Sequence, residues 1–84
     1  MRIIVYTKTR CPWSAQVMEY LRRNNLPFEE RNMTEHPEFQ KEVEEKTGQS
    51  KSATLDIDGV MLPNVGVEEV AETLAKMRQV KNAT

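Results

Sequence analysis

The sequence predicts an α/β domain whose elements follow the order β-α-β-α-β-β-α. An apolar run at residues 3–6, a helical pattern and a second strand pattern have the spacing of a βαβ unit, in which the two strands are parallel. Asp58-Gly59 separates two later strand patterns, at residues 54–57 and 60–62, and is a strong hairpin signal. The 84 residues are enough for one such domain with a modest core.

The first half of the chain supplies the βαβ unit. The first strand, residues 2–6, is expected to be buried on both faces, because its apolar run is continuous rather than alternating. A helix is predicted from Pro12 to about Asn24, since Asn24-Asn25 tolerates the left-handed conformation that ends a helix. Residues 28–32 are more polar and predict a strand at a sheet edge. The apolar face of the helix consists of Ala15, Val17, Met18 and Leu21.

The second half supplies two more helices on either side of the hairpin. Thr34 is the predicted N-cap of the second helix, Pro37 lies in its first turn, and Gly48 ends it. The third helix runs toward the C-terminus, where we expect residues 80–84 to fray. Its apolar face consists of Val67, Val70, Leu74 and Met77.

Composition restricts the classes of protein to which the chain can belong. A net charge of −1 gives no reason to expect binding to nucleic acid or to a membrane, and no apolar run approaches the length of a membrane span. The chain starts directly with a strand, which predicts that it has no signal peptide. A single cysteine excludes a disulfide framework. We therefore expect a soluble protein of a reducing compartment, most simply the cytoplasm.

The chemistry is expected at Cys11, which lies between the first strand and the first helix. Pro12 fits the first position of a helix, so Cys11 stands at the helix N-terminus, where negative charge is favoured. Lys8 and Arg10 add positive charge nearby, and such surroundings lower a thiol pKa below its usual value of about 8.5. The alternative, a buried structural cysteine, is common but does not suit this setting. The pattern indicates a nucleophilic thiolate.

Three further residues, Trp13, Ser14 and His36, bear on binding or chemistry. Trp13 is expected to form an apolar wall beside the sulfur. Ser14 stands where a Cys-x-x-Cys motif has its second thiol; its hydroxyl can hydrogen-bond a thiolate but cannot close an internal disulfide. His36 is the sole histidine and, at a helix start with no metal-binding pattern around it, is expected to be a surface residue.

These features together resemble the glutaredoxin family, which has the thioredoxin-like fold. The matching segments are residues 5–8, the Cys11-Pro12-Trp13-Ser14 site, the turn at 46–49 and the strand at 54–59, within a resemblance that covers about residues 3–74. The resemblance implies one glutaredoxin-like domain over residues 1–84. It also implies a four-stranded mixed sheet flanked by three helices, with the first strand central and two helices on one face.

The resemblance implies a thiol–disulfide oxidoreductase, and the departures from the family pattern qualify its mechanism. Many members have a second cysteine at the position of Ser14. With one thiol, Cys11 would attack a glutathione mixed disulfide, become glutathionylated and need a second glutathione for regeneration. Two interpretations stay open: a natural monothiol protein, or an altered form of a dithiol Cys-Pro-Trp-Cys electron donor that accepts electrons from thioredoxin reductase.

Two more departures affect substrate binding. Lys51, Ser52 and Ala53 stand where the family usually has Thr-Val-Pro with a cis proline. Because a cis bond before a non-proline residue costs about 2.5–4 kcal/mol, we expect a trans bond before Ala53. Weaker substrate docking, a locally altered loop, or both should follow. Residues 63–67 lack the acidic capping residue found where the family binds the glutamyl carboxylate of glutathione, which makes glutathione recognition an open question.

The residue pattern and the family resemblance together predict the site. They predict glutathione as co-substrate and no bound cofactor or metal. We expect a monomer whose partners are glutathione, thiol proteins or thioredoxin reductase. Two alternatives stay open: an iron–sulfur cluster bridged by glutathione in a dimer, or a non-catalytic binding module. The predicted catalytic residues are Cys11 and Ser14, and the predicted substrate-binding residues are Lys8, Arg10, Pro12, Trp13, Lys51, Ser52 and Ala53.

Overall fold

The computed structural model describes residues 2–49 and 53–82. The elements follow the predicted order: β1 (Ile3–Thr7), α1 (Pro12–Arg23), β2 (Glu29–Asn32), α2 (Pro37–Thr47), β3 (Thr54–Ile57), β4 (Val60–Leu62) and α3 (Val67–Asn82).

The four strands form one mixed sheet in the order β2-β1-β3-β4. The pairing of β1 with β2 is parallel, as the βαβ spacing predicts, and β1–β3 and β3–β4 are antiparallel. All five residues of β1 are buried, so the prediction of a central strand covered on both faces is confirmed. The prediction that the polar second strand lies at an edge is confirmed as well.

Alternate residues of β1 face two separate cores. Ile3 and Val5 pack on the face covered by α1 and α3, where the cluster also contains Val17, Leu21, Leu55, Ile57, Val70 and Leu74. Ile4 and Tyr6 pack with Met33 and with Val43 of α2 on the other face. Two helices therefore cover one face and one helix covers the other, as the family resemblance implies.

Positive φ angles mark the turns that the sequence predicts. Asn25 ends α1 with φ of 56°, and Gly48 ends α2 with φ of 79°. Asp58 and Gly59 have φ of 51° and 90°, the two positive angles of a tight type I′ hairpin turn. The Asp56 carboxylate accepts the Gly59 N–H at 2.8 Å and so stabilises that turn.

The start of α2 differs from prediction. The N-cap of α2 is His36, without a side-chain capping bond, so the assignment of Thr34 as N-cap is wrong. The Asn32 carboxamide oxygen accepts the N–H groups of Thr34 and Glu35 and forms a turn ahead of the helix. The backbone of α3 is helical to Asn82 and contains no Gly or Pro from Val67 onward. The fraying expected at residues 80–84 stays a prediction, and residues 83–84 lie outside the described chain.

A polar cluster beneath the sheet joins β1, β2 and α2. The Tyr6 hydroxyl donates to the Glu42 carboxylate at 2.5 Å, and Arg31 donates to the same oxygen at 2.8 Å. The Arg31 guanidinium also lies over the rings of Tyr6 and Phe39. Burial, together with the bond to Glu42, raises the pKa of Tyr6 to about 12. The bond from Tyr6 holds the pKa of Glu42 below its usual value.

This cluster predicts a loss of stability at alkaline pH. The folded state holds the Tyr6 proton more tightly than the unfolded chain, so the stabilisation is complete below about pH 10 and is lost as the pH rises toward 12. Tyr6→Phe should lower the free energy of unfolding by about 1.5–3 kcal/mol at pH 8, the range for a hydrogen bond to a charged group. Urea unfolding at pH 8 and pH 11 should show the gap between wild type and variant narrowing at the higher pH. A gap that stays constant would contradict the assignment.

Candidate active site at the Cys11 loop

The loop between β1 and α1 places Cys11 at the start of a helix. Cys11 is the N-cap of α1 with extended backbone angles, φ −101° and ψ 107°, and Pro12 occupies the first helical position. The Cys11 carbonyl accepts the first helical N–H, from Ala15, at 3.3 Å. Cys11 is half-buried. The predicted setting, a partly accessible cysteine at the positive end of a helix dipole, is thus present.

Arg10, the residue before the N-cap, has a strained backbone conformation that brings Cys11 to the start of the helix. Its φ of 63° lies in the left-handed region, and the Cys11 N–H donates to the Lys8 carbonyl at 3.3 Å to close the turn. Among the described residues, the other side chains with positive φ belong to Asn and Asp, which tolerate this region better than a long side chain does. Contacts of the loop with the rest of the protein therefore maintain this turn, against the backbone conformation that an arginine prefers.

Contacts with the β2–α2 turn supply part of those surroundings. The Thr9 N–H donates to the Thr34 hydroxyl at 3.1 Å, and the Asn32 side chain donates to the Thr9 hydroxyl at 3.4 Å. Sequence reasoning assigned Thr34 to a helix cap and did not single out Thr9 or Asn32. The sequence feature that could have indicated these contacts is the polar residue Asn32 at the end of an edge strand.

Ser14 stabilises the backbone at the start of α1. Its side chain is buried, with 2% of the residue exposed, and its hydroxyl donates to the Cys11 carbonyl at 3.0 Å. Ser14 thereby fixes the orientation of the loop that carries the nucleophile. A hydrogen bond from this hydroxyl to the thiolate stays a prediction.

Cys11 lines a cleft of about 550 Å³ between the loop, the start of α1 and the β2 edge. Both predicted cations, Lys8 and Arg10, line the same cleft, but so do two carboxylates, Glu30 and Glu35. The Thr7 hydroxyl donates to Glu30 at 3.0 Å. The surroundings of Cys11 therefore carry charges of both signs, with the cations on its own loop.

Of the other predicted binding residues, Pro12 lines the same cleft, whereas Trp13 and Ala53 are not part of its lining. Trp13 lines a separate groove with Gln16 and residues 64–69. Ala53 is 1% exposed and belongs to the core beneath α1 and α3, while its carbonyl accepts the Val65 N–H at 2.9 Å. Its side chain is thus a core residue. Lys51 and Ser52, and with them the peptide bond before Ala53, lie outside the described residues.

Within residues 2–49 and 53–82, no cluster of three or more His, Cys, Asp or Glu side chains has a metal-binding arrangement. No helix in the same ranges is both long and apolar enough to cross a lipid bilayer.

A family model and a relative of known sequence both match this chain. The Glutaredoxin family model matches residues 3–62, which contain all four strands. A relative from Clostridium pasteurianum, described as an uncharacterized glutaredoxin-like 8.6 kDa protein in the rubredoxin operon, is 26% identical over 74 residues, covering 88% of this chain and 99% of the relative.

Solved structures agree with the sequence matches. The thioredoxin-like protein BC3987 matches with a TM-score of 0.76 and 26% identity, over 83% of this chain and 96% of its own. A threonine-to-alanine mutant of the same protein matches with a TM-score of 0.78 and 25% identity, over 86% and 97% of the two chains.

The left-handed turn at Arg10 predicts different outcomes for two substitutions that remove the same charge. Arg10→Gly relieves the left-handed conformation and Arg10→Ala does not, so the Gly variant should be the more stable of the two by about 1 kcal/mol in urea unfolding. Both variants lose the guanidinium, so both should react with iodoacetamide at Cys11 more slowly than wild type and to a similar degree. Equal stability of the two variants would contradict a strained turn.

Proposed function

Because this chain belongs to the glutaredoxin family, we propose that it is a thiol–disulfide oxidoreductase that reduces mixed disulfides between glutathione and other thiols. The observation that supports the proposal best is the position of its single cysteine at the N-cap of a 12-residue helix, in a loop that also carries Lys8 and Arg10. The helix terminus contributes roughly half a positive charge, and the two side chains add full charges. This setting favours the thiolate, which is the reactive form.

The reaction consists of two thiol–disulfide exchanges. The Cys11 thiolate attacks the glutathione sulfur of the mixed disulfide, the S–S bond breaks, and the other thiol leaves as a thiolate that takes a proton from water. A second glutathione thiolate then attacks the same glutathione sulfur. This step releases oxidised glutathione and restores the Cys11 thiolate, so the net reaction oxidises one free glutathione thiol and reduces the sulfur of the other thiol.

Ser14 restricts the protein to this route. A dithiol enzyme resolves its intermediate with its own second sulfur, but the hydroxyl of Ser14 cannot form a disulfide and is bonded to the Cys11 carbonyl. Regeneration therefore requires an external thiol, which a reducing compartment such as the cytoplasm supplies. In this proposal Cys11 is the catalytic residue, Ser14 positions its loop, and Lys8 and Arg10 activate the sulfur and attract the anionic glutathione.

The proposal predicts turnover that depends entirely on Cys11. Wild-type protein should accelerate reduction of a glutathionylated peptide in a coupled assay with glutathione and glutathione reductase. Cys11→Ser should reduce the rate to that of glutathione alone, because no other thiol is present in the chain. If wild type and Cys11→Ser give equal rates, the chain is not an oxidoreductase of this type, and a non-catalytic binding module becomes the better hypothesis.

A second prediction concerns the ionisation of the thiol. The rate of alkylation by iodoacetamide follows the thiolate fraction, and Cys11 is the only cysteine, so the rate reports on one site. The midpoint of the rate against pH should lie at least about one unit below 8.5 in the folded protein and return to about 8.5 in concentrated urea. The unfolded chain is the matched control. A midpoint that urea does not change would show that the fold does not activate the thiol.

A further inference from the structure

Asn32, the last residue of β2, hydrogen-bonds both the Cys11 loop and the turn before α2 with one side chain. Its carboxamide oxygen accepts the Thr34 N–H at 2.8 Å and the Glu35 N–H at 3.0 Å. Its carboxamide nitrogen donates to the hydroxyl of Thr9, which lies 23 residues earlier in the chain, at 3.4 Å. The side chain therefore links two segments that only the fold brings together.

Thr34 forms a second hydrogen bond with Thr9. Its hydroxyl accepts the Thr9 N–H at 3.1 Å, while the Asn32 oxygen accepts the N–H of Thr34 itself. Asn32 thus bonds the side chain of Thr9 directly and orients the residue that bonds its backbone. Removal of the Asn32 side chain should weaken both attachments, whereas removal of the Thr34 hydroxyl breaks one of them.

The segment that contains these two residues is fixed by the sheet and the core. Asn32 pairs with Thr7 in the register of β1 with β2. Met33 is 2% exposed, packs in the core on the α2 face, and donates its N–H to the Thr7 carbonyl at 2.8 Å. The Asn32 carbonyl accepts the His36 N–H at 3.0 Å. Because the main chain is bonded on both sides of it, the Asn32 carboxamide is a fixed support for Thr9.

Thr9 and Arg10 are the two central residues of the turn that ends at Cys11. The Cys11 N–H donates to the Lys8 carbonyl at 3.3 Å, which closes this four-residue turn. Arg10, its third residue, has φ of 63°, and a positive φ at this position of a turn usually belongs to Gly or Asn. The attachment of Thr9 at its N–H and its hydroxyl counteracts the preference of Arg10 and keeps Cys11 at the start of α1.

We propose that Asn32 and Thr34 are positioning residues for thiol–disulfide exchange at Cys11 and that both act through Thr9. The inference rests on the proposed function and identifies residues outside the Cys11 loop on which that function depends. Neither side chain makes or breaks a covalent bond. The influence of a helix terminus falls off within its first turn, so a displaced sulfur is less ionised and less well aligned with an incoming disulfide.

Thr34 distinguishes positioning from contact with the substrate, because it is not among the described residues that line the Cys11 cleft, whereas Asn32 is. Thr34→Val keeps the shape of the side chain and removes the acceptor of the Thr9 N–H, while Thr34→Ser keeps that acceptor. The alkylation of Cys11 by iodoacetamide is followed against pH in both variants. The midpoint should rise by about half a unit in Thr34→Val, roughly a threefold loss of rate at a pH below it, and should stay at the wild-type value in Thr34→Ser. An unchanged midpoint in Thr34→Val, or an equal rise in both variants, would overturn the inference.

Asn32→Ala and Asn24→Ala form a matched pair. Both remove a carboxamide that bonds the backbone, but the Asn24 side chain donates to the Tyr20 carbonyl at 2.8 Å, at the far end of α1. Asn32→Ala should raise the midpoint at least as far as Thr34→Val, and the double variant should shift it by less than the sum, because Asn32 acts in part through Thr34. Asn24→Ala should leave the midpoint unchanged. An equal rise in the two Asn variants would indicate general loosening and would also overturn the inference.

Turnover of a glutathionylated peptide separates failure of the inference from failure of the proposed function. At a pH below the midpoint, Thr34→Val should lower kcat/KM for the mixed disulfide about threefold, in parallel with alkylation. Turnover that depends on Cys11 but is the same in wild type and Thr34→Val would leave the oxidoreductase intact and overturn the inference. A selective shift of the alkylation midpoint in a protein without turnover would support the positioning of the thiol and count against the oxidoreductase.

Discussion

The structure depends on the double pairing of β1. This strand forms hydrogen bonds with β2 on one side and β3 on the other, and its alternate side chains supply both cores. Each buried aliphatic side chain contributes about 1.5–3 kcal/mol of hydrophobic stabilisation, so a shift of β1 by one residue would exchange the side chains of the two cores and lose much of it. The register of β1 therefore fixes the position at which the strand ends and the Cys11 loop begins.

The last residue of β1, Thr7, forms hydrogen bonds beyond those of the strand pairing. The Thr7 carbonyl accepts the Met33 N–H at 2.8 Å, which attaches the last residue of β1 to the turn after β2. The Thr7 hydroxyl donates to the Glu30 carboxylate and attaches the same residue to β2. Thr9 continues this attachment through Thr34. Only four residues separate β1 from α1, and they must include a left-handed residue to reverse direction. The left-handed conformation of Arg10 thus belongs to the short connection between a buried strand and the helix whose N-cap is Cys11.

Most of the fold was predictable from local pattern, whereas the site was predictable only in part. The order of elements, the hairpin at Asp58-Gly59 and the ends at Asn25 and Gly48 depend on periodicity and on single residues that tolerate positive φ. The helix start at Cys11-Pro12 is a local signal as well. The start of α2 was mispredicted because the Asn32 side chain forms a turn ahead of the helix with the N–H groups of Thr34 and Glu35, and the Thr34 hydroxyl accepts the Thr9 N–H instead of capping the helix.

The contacts that sequence reasoning missed are those made over long distances in the chain. Glu42 is 36 residues from Tyr6, and no pattern near either residue indicates that the two side chains meet. The burial of Ala53 and its backbone bond to Val65 depend in the same way on how the β3 entry packs against the turn before α3. Charges on the loop were identifiable, but the opposing Glu30 and Glu35 were not, because the fold brings β2 and the turn beyond it to the cleft.

The same folding gives the cleft of Cys11 charges of both signs in separate places. Lys8 and Arg10 lie on the loop of the nucleophile, whereas Glu30 lies on β2 and Glu35 on the turn beyond it. A uniformly basic site would stabilise the thiolate but would attract any anionic disulfide without regard to its orientation. Carboxylates on the β2 side add a preferred direction, because the anionic half of a disulfide is attracted to the loop and repelled from β2. Since exchange requires the attacked sulfur to lie between the nucleophile and the leaving sulfur, an orientation preference becomes a preference for which half is released.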